Sequence, residues 1–108
     1  MTMKPAAIGY LRRDVSGISQ GWHEMQIRSL ARCLGYDLSK TIVFGPGTAD
    51  PVTQLIVAAR KTEAEAVFVP SLWHLGDHVP SALVDVADVI TVIPRYTYSR
   101  RLSNPSRN

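Results

Sequence analysis

Four short apolar segments, separated by stretches with a helical pattern, constrain the fold of this chain more than any other feature. They lie at residues 6–11, 41–44, 66–69 and 89–93, and each is short for a helix. Strands that are apolar throughout are buried on both faces, which is typical of parallel sheets covered by helices. The sequence therefore predicts an α/β fold, with a small, open, mainly parallel sheet of about four strands and helices on both faces.

The stretches between these segments carry amphipathic helical stripes. From about residue 20, apolar side chains recur at helical spacing, and Gly35 stands where that helix would end in a left-handed conformation. A second helix is predicted to begin with Asp50 as its N-cap and Pro51 as its first residue. A third, short helix is predicted over residues 80–87, so strands and helices alternate along the chain.

The loops that follow the strands are the expected location of a functional site, because ligands of such sheets bind beyond the carboxyl ends of the strands. These loops are predicted at residues 12–21, 45–49 and 71–78, with the chain after residue 94 as a fourth connection. The first of them and the last carry arginine pairs or clusters. We therefore look for chemistry at this edge of the sheet.

Positive charge is concentrated at the C-terminus. The formal net charge of the chain is +3, yet residues 95–108 contain four arginines and no acidic residue, so residues 1–94 are close to neutral. This asymmetry divides the chain into an α/β domain at 1–94 and a basic, flexible tail at 95–108. A basic tail of this kind either contacts a polyanion such as nucleic acid or is simply solvated.

Composition excludes several classes of protein. The apolar share of 45% is that of a globular domain, and we find neither a stretch of about 20 apolar residues nor a signal-peptide pattern, so no membrane association is expected. One cysteine, Cys33, cannot form an internal disulfide, which favours the reducing cytoplasm. The scattered His23, His74 and His78 predict no metal site, and the absence of a glycine-rich nucleotide fingerprint predicts no cofactor.

The loop after the first strand holds the candidate catalytic residues. Arg12 and Arg13 are followed by Ser16, and a hydroxyl beside two guanidinium groups suits attack on a phosphodiester. In this interpretation Ser16 is the nucleophile and the arginines bind the phosphate oxygens. Ser19 in the same loop is equally well placed to cap the helix that follows.

The order of these motifs resembles that of serine recombinases of the resolvase/invertase type. The run Ile-Gly-Tyr-x-Arg at residues 8–12 is similar to the opening of that family, and residues 25–30 match its Gln-x-x-x-Leu helix segment. The segments 66–77 and 89–93 fall on the family's next strands. The resemblance covers roughly residues 6–94, and it implies the fold of a resolvase catalytic domain and a serine that attacks DNA.

Departures from the family pattern fall on the residues that carry its activity. Asp14 stands where the resemblance places the nucleophile, and Ser16 follows two residues later in a loop that carries an insertion. Trp73, His74 and Asp77 replace the family's Asp, Arg and Arg, and an aspartate in place of a phosphate-binding arginine would repel the substrate. We expect Trp73 and His74 to pack against the helices instead.

Residues 95–108 provide neither the long helix nor the separate DNA-binding domain that recombinases of this kind use, so we expect no recombination. Three functions stay open. The first is a degenerate recombinase-like domain that binds nucleic acid or has a regulatory role. The second is a protein-interaction or dimerisation adaptor, which exposure of Leu83 and Val84 would favour. The third is residual phosphodiester cleavage through Ser16. The arginines expected to contact nucleic acid are Arg12, Arg13, Arg95, Arg100, Arg101 and Arg107.

Overall fold

The computed structural model describes residues 3–101 and has the α/β fold expected from the sequence. Its strands are β1 (Ala6–Arg12), β2 (Asp37–Phe44), β3 (Ala66–Val69), β4 (Asp88–Thr91) and β5 (Tyr96–Tyr98). Its α-helices are α1 (Arg13–Ser16), α2 (Gln20–Cys33), α3 (Pro51–Lys61) and α4 (Ser81–Val84), with 3₁₀ turns at Gly17–Ser19 and Leu72–Leu75. The strands form one open sheet in the order β2-β1-β3-β4-β5, parallel except for β5.

Alternate side chains of β1 enter two separate hydrophobic cores. Ile8 and Tyr10 lie on the face that α3 and α4 cover, whereas Ala7 and Leu11 lie on the face that α2 covers, and all four are fully buried. This alternation follows from the period of two in a strand. Burial of both faces explains why the segment is apolar throughout rather than alternately polar.

A helix approaches the sheet closely at Gly9 in β1. A Cβ atom built at Gly9 would lie 2.7 Å from the Thr41 Oγ1 and 2.9 Å from the Ile27 Cγ2. Thr41 belongs to the neighbouring β2 and Ile27 to α2, so the missing side chain lets these two elements meet over β1. The glycine is therefore required by packing rather than by its backbone angles.

Two strands differ from the sequence prediction. The strand β2 begins at Asp37 rather than at residue 41. Its first half lies at the sheet edge and carries exposed polar side chains, so the apolar pattern identified only the second half. The strand β5 was not predicted, and it lies in residues 95–108, which the sequence analysis assigned to a flexible tail. Tyr96–Tyr98 pair antiparallel with β4. A side-chain bond supports this reversal, because the Thr91 hydroxyl donates to the Pro94 carbonyl.

The prediction of a loop at residues 12–21 was wrong. The strand β1 continues through Arg12, and the chain then turns through α1 and a 3₁₀ turn directly into α2. Gly17 follows α1 directly and has a φ of 57°, which glycine adopts without steric cost. Ser19 does precede α2, but its side chain makes no capping hydrogen bond.

The remaining elements are close to their predicted positions. Gly35 has a φ of 82° just after α2, as expected. Asp50 precedes α3 but adopts a left-handed conformation and makes no side-chain cap, which corrects the predicted N-cap. The predicted third helix is limited to Ser81–Val84, and β4 ends at Thr91. Within residues 3–101, no helix is long and apolar enough to cross a membrane.

Replacing Gly9 by alanine is expected to lower the free energy of unfolding by about 1–3 kcal/mol, because the added methyl overlaps Thr41 and Ile27. The matched control is Gly21→Ala. Gly21 lies in α2 with no atom near its would-be Cβ, so the change should be neutral or stabilise the protein by up to about 1 kcal/mol. Urea unfolding of both variants checks this, and equal stability of the two would contradict the packing described here.

Candidate functional site

Most of the candidate catalytic and binding side chains lie at the carboxyl edge of the sheet. This edge consists of the ends of β1, β3 and β4 with the turns that follow them. Arg12 ends β1 and α1 follows it, the Leu72–Leu75 turn follows β3, and residues 92–95 follow β4. The N-terminus of the 14-residue α2 also lies here, and its first turn contains no acidic residue. The partial positive charge of that helix end adds to the charge of the arginines.

Arg12 is held by Asp14. Its Nε and Nη2 atoms donate to the two carboxylate oxygens of Asp14 at 3.3 and 3.0 Å, so the pair is bidentate. Asp14 is the residue at the position where the resemblance to serine recombinases placed a nucleophile. In this structure its contact is with the predicted phosphate-binding arginine, whose charge it compensates.

Arg13 is exposed and makes no ion pair with any of the described residues. Its guanidinium lies against Gly45, just after β2, in the space that a Cβ at that position would occupy. Gly45 therefore permits Arg13 to extend from the end of β1 across the end of β2. Of the predicted site residues in α1 and β1, Arg13 is the cation most available to an anionic ligand.

Ser16, the predicted nucleophile, is only 6% exposed and shares a hydrogen bond of 2.7 Å with His23. The bond joins the Ser16 Oγ to the His23 Nδ1. When His23 carries its ring proton on Nε2, its Nδ1 accepts the hydroxyl proton, which is the arrangement of a serine and its general base. The same bond also ties α1 to the first turns of α2.

His74 is buried and lies beneath this pair. Its Nδ1 accepts a hydrogen bond of 2.9 Å from the backbone N–H of Arg12, and its ring meets that of His23 edge-on, with centroids 5.7 Å apart. Burial lowers the pKa of His74 to about 4. The neighbouring His23 lowers it as well, Asp14 opposes this with a weaker effect, and Arg12 contributes the smallest lowering. His74 is therefore a neutral structural acceptor that fixes the end of β1.

Trp73 does not pack against the helices as expected. Its side chain is 65% exposed, whereas that of His74 is 2% exposed, so the prediction was correct for His74 and wrong for Trp73. The 3₁₀ turn explains the difference, because adjacent residues in it point in different directions. Trp73 forms one wall of a pocket of about 470 Å³, which His23, Asp77 and Tyr98 also line.

A second exposed indole lies at the start of α2. Trp22 is 58% exposed, and the neighbouring Val15, Ile18 and Met25 are exposed as well. These side chains belong to α1, the 3₁₀ turn and the first two turns of α2, which follow β1 directly. Both tryptophans of the chain therefore present large aromatic surfaces to solvent beside the carboxyl edge.

The arginines that were predicted to contact nucleic acid do not lie on one surface. Arg95 follows β4 at the carboxyl edge, but the antiparallel β5 carries the chain back to the opposite edge. There the Arg100 backbone N–H donates to Asp88, and the Arg101 guanidinium pairs with Asp85 at 2.8 Å. Arg107 lies outside the described residues. Arg100 and Arg101 are thus separated from Arg12 and Arg13 by the length of the sheet.

Sequence analysis missed His23 as a partner of Ser16. The two residues are seven positions apart, which is two helical turns, and this spacing would have been a signal if residues 12–21 had been predicted as helical rather than as a loop. Within residues 3–101, no group of three or more His, Cys, Asp or Glu side chains is arranged to hold a metal ion.

Comparisons with known proteins add no relative. A scan against protein-family models and a search of curated proteins found no match for this chain. The resemblance to serine recombinases therefore stays a prediction that depends on the residues quoted above.

The neutral state of His74 makes the stability of the fold depend on pH. In the unfolded chain a histidine takes up a proton near pH 6.5, whereas folded His74 does so near pH 4. The unfolded state thus binds more protons between these values, so this contribution is complete above pH 6.5 and is lost as the pH falls towards 4. Between pH 7 and pH 5, the free energy of unfolding should fall by about 2 kcal/mol through this group.

Urea unfolding at both pH values measures this dependence. His74→Phe should be less stable at pH 7, since the Arg12 N–H loses its acceptor, but it should show a smaller decrease towards pH 5. His78→Phe, which removes an exposed histidine, is the control and should keep the decrease. A His74→Phe variant with an unchanged pH dependence would contradict the assignment.

Proposed function

We propose that this protein is a non-recombining nucleic-acid-binding module that holds single strands at the carboxyl edge of its sheet. The observation that carries the proposal is the exposure of Trp22 and Trp73 at the edge where Arg13 is also exposed. Proteins that bind single strands without sequence preference combine stacking aromatic side chains with cations that follow the backbone. A duplex offers such side chains no unstacked base.

The charges at this edge support weak, stacking-dominated binding. Asp14 compensates Arg12, and Asp77 adds a negative charge at the pocket, so Arg13, Arg95 and the N-terminus of α2 are left to meet phosphates. We therefore expect few phosphate contacts and a shallow dependence of affinity on salt, with a slope for single strands of about −0.7 per phosphate neutralised.

The same residues argue against strand exchange. A recombinase grips the scissile phosphate with several free arginines, whereas here Arg12 is paired with Asp14 and Asp77 stands at the other side of the edge. The adaptor alternative loses its predicted support, because Leu83 is fully buried and Val84 is half-buried against the core. Binding of nucleic acid without exchange is the function that these contacts favour.

The test measures fluorescence anisotropy of a labelled oligothymidine and of a labelled duplex, with the full chain at several salt concentrations. We expect the single strand to bind more tightly. Trp22→Ala and Trp73→Ala should each weaken binding by about 5-fold to 100-fold, the usual effect of losing one base–aromatic stack. Arg13→Ala should reduce the salt slope.

Matched controls are Val57→Ala, which removes an exposed apolar side chain from α3, and Arg32→Ala, which removes an exposed arginine at the far end of α2. Both should bind as the parent does. Because the chain has two tryptophans, the Trp22→Phe and Trp73→Phe variants each leave one indole whose emission reports stacking directly. Equal loss of affinity in the controls, or no binding of either nucleic acid at low salt, would contradict the proposal.

Cleavage of a phosphodiester through Ser16 is a second candidate, and the 2.7 Å bond between Ser16 and His23 is the observation that favours it. In such a reaction the Ser16 oxygen would form a bond to phosphorus and its proton would pass to the His23 Nδ1. The P–O bond to the rest of the DNA strand would break, and the departing oxygen would take a proton from water. The low exposure of Ser16 requires α1 to move before a phosphate can reach it.

Incubation with a labelled oligonucleotide that contains only natural phosphodiester linkages distinguishes cleavage through Ser16 from simple binding. If the protein cleaves DNA through Ser16, we expect a covalent protein–DNA species in denaturing gels. This species should be absent in Ser16→Ala and in His23→Ala. Ser19→Ala is the matched control, since Ser19 is half-buried and makes no side-chain capping bond. No cleavage by the parent protein, together with unchanged strand binding in Ser16→Ala, would leave the bond a structural link between α1 and α2.

A further inference from the structure

A groove of about 470 Å³ runs between β2 and α3, from Lys40 to the carboxyl end of β2 at Phe44. We propose that this groove binds an extended acidic segment of a partner protein, which adds to the sheet as a strand beside β2. This proposal does not rest on nucleic-acid binding, because none of the residues that line the groove belongs to the proposed nucleic-acid site.

The backbone of β2 is suited to strand addition. Among the described residues 3–101, β2 pairs only with β1, so it is the last strand on its side of the sheet. The register of β2 against β1 skips Ser39, and beyond this irregularity the outer edge presents the backbone N–H and C=O groups of residues 40–44. An extended peptide that pairs with such an edge gains affinity from main-chain hydrogen bonds and specificity from its alternate side chains.

The side chains beside this edge form an apolar floor. Ile42 and Phe44 occupy alternate positions of β2 on the α3 side of the sheet, where both are partly buried against the core. Val57, which is 50% exposed, and Ala58 form the opposite wall from α3. A strand added to β2 would place every second side chain over this floor.

The positive charge of the groove indicates which kind of segment binds there. Lys40 on β2 and Lys61 on α3 also line the groove and are exposed, and none of the described residues that line it is acidic. Carboxylates on the added segment would therefore find cationic partners along the groove. The expected ligand alternates apolar residues with glutamate or aspartate.

Two other occupants fit less well. A second copy paired through the same edge would bring its own Lys40 and Lys61 towards those of the first, because a two-fold interface joins a patch to itself. The chain's own residues 95–108 contain four arginines and no acidic residue, so the lysines would repel them. An acidic partner segment is the occupant that the charges favour.

The experiment uses two-dimensional ¹⁵N NMR spectra of the full chain, titrated with a blocked peptide of alternating valine and glutamate. Saturable shifts should appear for amides of β2 and α3 and should weaken as salt rises. A peptide of alternating valine and lysine and a peptide with the same valines and glutamates in two blocks are the controls, and both should bind at least about fivefold more weakly.

Two variants test the contacts. The double variant Lys40→Glu/Lys61→Glu should lose at least about fivefold in affinity, whereas the matched double Arg28→Glu/Arg32→Glu on α2 should bind as the parent does. Val57→Lys, at a half-exposed position that should not affect folding, tests the apolar wall and should weaken binding. Unperturbed spectra away from the substituted residues establish that each variant is folded.

Three results would overturn the proposal. One is the absence of shifts at β2 and α3, which would leave Lys40 as a charge that protects an edge strand from pairing. Another is equal binding of the lysine-containing peptide. The third is a set of β2 shifts that depend on protein concentration alone, with a rise in sedimentation coefficient, since that would identify a second copy as the occupant.

Discussion

Burial of β1 on both faces is the constraint on which the rest of the structure depends. Its side chains enter the two cores alternately, and Gly9 allows β2 and α2 to meet across it. Because β1 pairs with β2 as far as Arg12, and with β3 over residues 7–9, its end is held against β2. The buried His74 then accepts the backbone N–H of Arg12. The positions of Arg12, Arg13 and Ser16 follow from that fixed end.

The α/β class could be predicted because its signal is local. Segments such as 66–69, which are apolar throughout, identify strands buried on both faces, and the helical stripe that contains Ile27 identifies α2. The strand β5 carries no such signal. It has three residues, two of them exposed, and it exists through pairing with β4 and a turn that the Thr91 hydroxyl supports. Those contacts are not local to its own sequence.

The candidate site was predicted only in part, for similar reasons. Residue types at 12–16 indicate an arginine-rich loop with a hydroxyl, but the inward direction of Ser16 depends on His23, two helical turns later. Trp73 and His74 are adjacent, yet one is exposed and the other is buried, which depends on the direction each takes in a 3₁₀ turn. The arginines of the C-terminal segment are divided because β5 reverses the chain, and composition carries no information on that reversal.

We propose that the carboxyl edge of the sheet is the surface that meets nucleic acid. The most direct measurement is a ¹⁵N NMR titration of the full chain with unlabelled oligothymidine, which locates the contact without any substitution. We expect shifts for the amides and indole N–H groups of Trp22 and Trp73 and for the residues around Arg13. Shifts confined to residues 99–101 and to Asp85 and Asp88, at the opposite edge, would contradict this proposal.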